Sequence, residues 1–146
     1  MILVHVTSHS PHLTRLSRLG SVNCFFVHEE DGLTLIDTGL PGSATGILRA
    51  AAAVGRPIRR ILLTHAHWDH AGSVDRLLER IPEAELMLTS REGRLLAGDM
   101  TLDPAEPGVP VKGRYLHRFV KYPAAGERFC KLVVGLSERR QLRKPV

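Results

Sequence analysis

Apolar positions change their spacing along the chain, and that change divides it into elements. Compact apolar runs at Val22–Val27 and Leu33–Ile36 flank Glu29-Glu30-Asp31-Gly32, which predicts a hairpin of strands 22–28 and 33–37 with Asp-Gly at its turn. Residues 1–7 open with an apolar run that reads as a first strand, and Ser8–Leu19, interrupted by Pro11, reads as a loop or a hairpin crossing. Ala44, Ile47, Leu48, Ala51 and Ala52 recur at three- and four-residue spacing, so 43–54 is expected to be an amphipathic helix ended by Gly55 and Pro57. Ile58–Leu63 reads as a buried strand. Apolar positions 71, 74, 77, 78 and 81 predict a helix over 71–81, stopped by Pro82. Residues 84–88 read as a further strand. Ser90–Ala97 reads as a short helix, with Ser90 as its cap and Gly98 at its end.

Residues 99–113 carry Pro104, Pro107, Gly108, Pro110 and Gly113 and are expected to be irregular, either overhanging a site or simply connecting elements. No internal repeat, heptad pattern or Gly-rich phosphate loop is visible. A length of 146 residues suits one domain with a real core, and 43% hydrophobic with 24% charged residues is ordinary for a globular protein. No apolar stretch approaches the ~20 residues that span a bilayer. Met1–Val6 lacks a basic region, a long apolar core and a small-residue cleavage site, so a signal peptide is not expected and a reducing cytoplasm is. The two cysteines, Cys24 and Cys130, form neither a disulfide framework nor a Cys-x-x-Cys site, and Cys24 reads as a buried small hydrophobe.

Charge is unevenly spread. Residues 1–113 hold 11 Lys and Arg against 13 Asp and Glu, whereas residues 114–146 hold 9 against 2. The net charge of +5 therefore belongs to the last part of the chain and not to the region with the regular pattern.

Candidate chemistry concentrates in Thr64-His65-Ala66-His67-Trp68-Asp69-His70, which holds three of the eight histidines. It lies where a strand passes into a helix. His65 and His67, two apart on extended backbone, project to one side, and Asp69 and His70 fall on the turn that follows. Imidazoles with a carboxylate are the donor set of a Zn²⁺-type site, which outweighs the alternative of a polar loop with neighbouring histidines. His5, His9 and His12 fit no compact site by spacing and read as surface residues. Asp37 closes a strand before the turn-rich Thr38-Gly39-Leu40-Pro41-Gly42, where a plain turn carboxylate is one reading.

His-x-His-x-Asp-His behind a buried strand resembles the signature of the metallo-β-lactamase (MBL) fold superfamily of metal-dependent hydrolases. Gly32-Leu33-Thr34-Leu35-Ile36-Asp37-Thr38-Gly39 resembles the strand and Asp-Thr-Gly segment that this family places earlier, and the likeness runs in matching order from Asn23 to Gly113. The resemblance implies an α/β (α+β) class fold, an αβ/βα sandwich of two similar halves, of which this length would hold the N-terminal half and the start of the second. It implies that His65 and His67 bind a first metal and that Asp69 and His70 bind a second. Asp69 would also orient the attacking water, and Asp37 would support a metal-binding histidine through its other ring nitrogen. Zn²⁺, one or two ions, is the implied cofactor, with Fe or Mn compatible with the same donors.

The resemblance also implies a third histidine, a bridging aspartate and a last histidine later in the chain. The histidine after position 70 is His117, in Arg114-Tyr115-Leu116-His117-Arg118, whose context does not match. Gly126–Gly135 still resembles a turn and strand of the family, while 136–146 is charged and unlike it. The expected organisation is therefore an incomplete MBL-like domain over 1–135 and a basic tail over 136–146, with the reading frame broken or the gene truncated near 135. A solvated basic helix is the alternative for the tail. The implied activity is hydrolysis of an ester, thioester, amide or similar bond in a small-molecule substrate, impaired by the missing ligands. A non-catalytic remnant is the alternative. Nucleic acid is a weaker candidate partner, because 7 aromatic residues with no interleaved basic strip provide no stacking platform. Exposed apolar surface on a half-fold would favour a homo-oligomer.

Overall fold

The computed structural model describes residues 4–99 together with Thr101 and Pro104. The expectations for Met1–Leu3, most of 99–113, His117, Gly126–Gly135, Cys130 and the 136–146 tail lie outside the described residues.

Among the described residues six strands form one sheet in the order β1 to β6: β1 (His5–Ser10), β2 (Leu13–Arg18), β3 (Val22–Glu29), β4 (Gly32–Ile36), β5 (Ile58–Leu62) and β6 (Glu85–Met87). The first four pair antiparallel through tight connections. β4, β5 and β6 run parallel, and the intervening chain is helical: α1 (Ala44–Val54) before β5, then α2 (Trp68–Ala71) and α3 (Val74–Arg80) before β6. α4 (Ser90–Leu96) follows β6. The switch is what a parallel neighbour requires, because a crossover must carry the chain back to the starting edge.

Register decides the core. Leu16 faces Cys24, Phe26 faces Leu35, Leu35 faces Ile61 and Ile61 faces Leu86, so one face of the sheet carries a continuous apolar row. Ala44, Ile47, Ala50 and Ala51 of α1 and Val74, Leu77 and Leu78 of α3 join these residues in one buried cluster. Each large side chain buried there contributes roughly 1.5–3 kcal/mol of transfer free energy. On the opposite face Phe25, Ile36, Leu62 and Met87 are cross-strand neighbours that stay partly exposed.

Several element expectations are adjusted. Of the two readings for 8–19, the hairpin is found: β1 and β2 turn at Pro11-His12, and β1 is exposed along its whole length. The single helix expected over 71–81 is two. Its first turn starts at Trp68, and the helix breaks at Gly72-Ser73 because the backbone there is tied to the 38–43 segment. Ser73 N–H donates to Thr38 Oγ1 at 3.2 Å, Ser73 Oγ donates to Leu40 O at 2.7 Å, and Ser43 N–H donates to Ser73 Oγ at 2.8 Å. α4 is capped by Thr89 and not by Ser90, with Thr89 Oγ1 accepting the Glu92 N–H at 3.3 Å. α1 ends as its sequence predicts, at Gly55 with φ 74°, whose N–H reaches Ala51 O and Ala52 O.

At the far end of the β3–β4 hairpin, Arg60 on β5 pairs with Asp31 at 2.6 Å and with Glu29 at 2.8 Å. The Arg60 guanidinium holds the Asp31 carboxyl below its ordinary range. This network fastens the hairpin to β5, away from the carboxyl ends of the parallel strands.

Candidate metal centre

In a parallel pair the carboxyl ends of both strands emerge at one edge, which is where ligand sites gather in α/β sheets. Asp37 leaves β4 there, and the 64–70 loop leaves β5 beside it. The Asp37 N–H donates to Leu62 O at 2.8 Å, so the ladder carries the two segments out together.

Asp37 is the centre of the hydrogen bonding. It is 5% exposed and has φ 58°, a left-handed backbone that Asp tolerates better than most residues. Its Oδ1 accepts the Thr64 N–H at 2.8 Å, and the Thr64 hydroxyl lies 3.0 Å from Oδ1 and 2.8 Å from Oδ2. Oδ2 lies 2.7 Å from His70 Nδ1. The His70 main chain is pinned as well: its carbonyl accepts from Thr38 N–H at 2.6 Å and from Thr38 Oγ1 at 2.9 Å. An ionised Asp37 can only accept, so His70 carries its proton on Nδ1 and keeps Nε2 as the lone-pair nitrogen when neutral.

The three loop imidazoles are in contact. The ring centroids of His65 and His70 are 3.8 Å apart, and those of His65 and His67 are 4.7 Å apart, edge to face. Asp69 Oδ2 is 3.6 Å from His70 Nε2. His65 Nδ1 lies 3.0 Å from the Thr64 hydroxyl. The His65 pKa is pushed below its ordinary value, first by partial burial and then by the neighbouring His70 and His67. From α4, Glu92 Oε2 accepts the Ala66 N–H at 2.5 Å, between the two motif histidines.

His65, His67, Asp69 and His70 thus share one loop, and Asp37 joins them from β4. His5, His9 and His12 lie exposed on β1 and its turn. Cys24 is buried, and its thiol is pushed up to about 12, first by burial and then by the Asp37 charge. Among the described residues no three His, Cys, Asp or Glu side chains converge as a closed metal cage. The donors nevertheless suit a Zn²⁺-type ion in kind: three imidazoles and a carboxylate within one loop, with the His70 tautomer set by Asp37. They meet in pairs.

Three contributors were not evident from the motif. Thr64 and Thr38 fasten the loop to Asp37 and His70, and Glu92 fastens it to α4. The sequence signal for Glu92, Thr89-x-x-Glu92, is that of a capping box, which points its carboxylate back along its own helix.

The model of the metallo-beta-lactamase superfamily matches residues 17–136 of the chain, and the chain belongs to that superfamily. It is 48% identical over 101 residues to YobT of Bacillus subtilis (strain 168), covering 69% of this chain and 43% of that protein. It is 42% identical over 59 residues to the probable metallo-hydrolase YybB of the same strain, covering 40% of this chain and 26% of YybB. Among solved structures, the Cronobacter sakazakii metallo-beta-lactamase with a HARLDQ motif superposes with a TM-score of 0.59 at 26% identity, covering 66% of this chain and 38% of that one. The six-stranded mixed sheet with its helices is therefore the metallo-β-lactamase fold, and the chain spans less than half the length of these relatives.

Proposed function

We propose that this chain carries the N-terminal metal-binding half of a hydrolase site acting on an ester, thioester, amide or similar bond of a small-molecule substrate. His65 and His67 would hold one Zn²⁺, and Asp69 and His70 a second or shared position. Fe or Mn suits the same donors. Bound metal supplies a water of lowered pKa and a Lewis acid for the carbonyl oxygen. The chain's own residues do the rest. Asp37 keeps the His70 proton on Nδ1 and so presents Nε2 as a donor atom. Asp69 would accept a hydrogen bond from the attacking water and hold its proton. Thr64 and Thr38 keep the loop in place while charge develops.

The observation that carries this reading is the 2.7 Å contact from Asp37 Oδ2 to His70 Nδ1, a carboxylate–histidine pairing of the kind that orients metal ligands. YybB's description as a probable metallo-hydrolase supports the same class. A second reading is a metal-binding but non-catalytic chain, since among the described residues no three donor side chains converge on one point. Zinc content per chain tests the shared part of both readings. After dialysis against metal-free buffer, wild type is expected to retain about one or two zincs, and His67→Ala to lose them. Retention equal in both proteins would refute the assignment. Hydrolysis of a thioester and ester panel by zinc-loaded wild type then separates the enzyme from the non-catalytic chain.

A further inference from the structure

We propose that Glu92 is a positioning residue for the His65–Ala66–His67 segment, an inference that rests on the metal-site reading above. The segment has a sequence reason to be loose. It begins three residues past the end of β5 and runs into α2, where the His67 carbonyl accepts from the His70 and Ala71 N–H groups. Its Ala66 N–H cannot be satisfied by local secondary structure, and a segment of this kind is held by side chains or by water.

Glu92 supplies the hold. It is the third residue of α4, half-buried, and its Oε2 accepts the Ala66 N–H at 2.5 Å. A hydrogen bond to an ionised carboxylate is stronger than one between neutral groups. The helix itself is registered by Thr89, whose hydroxyl caps the Glu92 N–H, and by Gly93 and Leu96, which are buried. α4 therefore acts as a fixed post, and its carboxylate clamps the peptide between the two histidines. Asp37 fixes the loop at Thr64 and His70, and Glu92 fixes its middle. Without this second anchor, the Ala66 peptide loses its tie to α4, and the backbone that sets the spacing of His65 and His67 gains freedom.

The test uses the full chain and two variants. In Glu92→Ala, the hydrogen-exchange protection of the Ala66 amide in metal-free protein is expected to fall at least about tenfold, while core amides such as Leu35 and Ile61 keep theirs. Affinity for Co²⁺, read from its visible absorption on titration, is expected to fall by about 10–100-fold. In Glu92→Gln, whose side-chain carbonyl still accepts from Ala66, both are expected to return most of the way to wild type. Unchanged Ala66 protection in Glu92→Ala overturns the proposal. So does lost protection with unchanged Co²⁺ affinity, which would make the bond a packing feature only. A Glu92→Gln variant as impaired as Glu92→Ala overturns the hydrogen-bond assignment. If wild type itself binds no Co²⁺, the metal reading fails, and the Ala66 exchange alone decides whether Glu92 holds the loop.

Discussion

Asp37 does more at the residue scale than its place in an Asp-Thr-Gly turn suggests. Its two oxygens serve a main-chain amide, a hydroxyl and an imidazole from a loop 27–33 residues away in sequence. Asp37→Asn keeps the shape but replaces an acceptor with a donor, so one of these contacts is lost or inverted. We expect a stability loss of about 1–3 kcal/mol in urea unfolding, because the bonded partners are partly buried. Zinc affinity is expected to fall about 10–100-fold, since the His70 tautomer is no longer enforced. Wild-type affinity in this variant would show that His70 orients without Asp37. The cluster of His65, His67, Asp69 and His70 stands out from its spacing alone, although residues 65–67 lie beyond the end of β5. Thr64, Thr38 and Glu92 do not stand out, because a hydroxyl or a carboxylate shows its partner only when another element is beside it.

Elements were legible wherever local pattern and tertiary packing agree. The β3–β4 hairpin, α1 with its Gly55 end, and β5 all follow from apolar spacing and turn residues. The break between α2 and α3 did not follow, since the apolar period runs through 71–81 without interruption. The Ser73 hydrogen bonds to Thr38, Leu40 and Ser43 set the break, and Gly72 makes the approach possible. A Cβ there would lie 2.5 Å from Pro41 Cδ and 2.6 Å from Gly39 O, and closer still to Trp68 O. The 39–41 segment approaches so closely that only glycine fits, and Ser73 turns its polar groups to that segment. Gly72→Ala is therefore expected to cost at least about 1–3 kcal/mol by overpacking, and more if the backbone cannot yield. A chemical-denaturation midpoint equal to wild type would contradict this contact. Because Gly72 follows α2 directly, the same variant is expected to displace Asp69 and His70.

At the scale of the whole molecule, the candidate site sits on the buried cluster, which Leu63 and Ala71 join and Ala66 packs against. Leu16, Phe26, Leu35, Ile61 and Leu77 are almost wholly buried among apolar neighbours and need no ion to pack. Removing metal should therefore leave the secondary structure unchanged. Adding Zn²⁺ should stabilise the fold only through linkage, by about 2.7 kcal/mol when free ion is a hundredfold above Kd. Thermal unfolding with and without Zn²⁺ reads this directly, and His70→Ala should abolish the upward shift. An equal shift in His70→Ala would place the ion elsewhere. Among the described residues no helix is long and apolar enough to cross a membrane.

By itself the sequence indicated the β3–β4 hairpin, α1, β5 and their apolar positions, and the short stretch in which metal-type donors gather. These are local properties: periodicity, turn chemistry and the spacing of histidines act over a few residues. Only the tertiary structure decided that β4, β5 and β6 run parallel side by side, and hence that Asp37 and the histidine loop emerge at one edge. It also decided that Asp37 selects the His70 tautomer, that the Ser73 contacts separate α2 from α3, and that Glu92 turns from its own helix to the loop. Each of those depends on which distant backbone arrives within hydrogen-bonding or van der Waals range, and that is set by register and packing across the sheet.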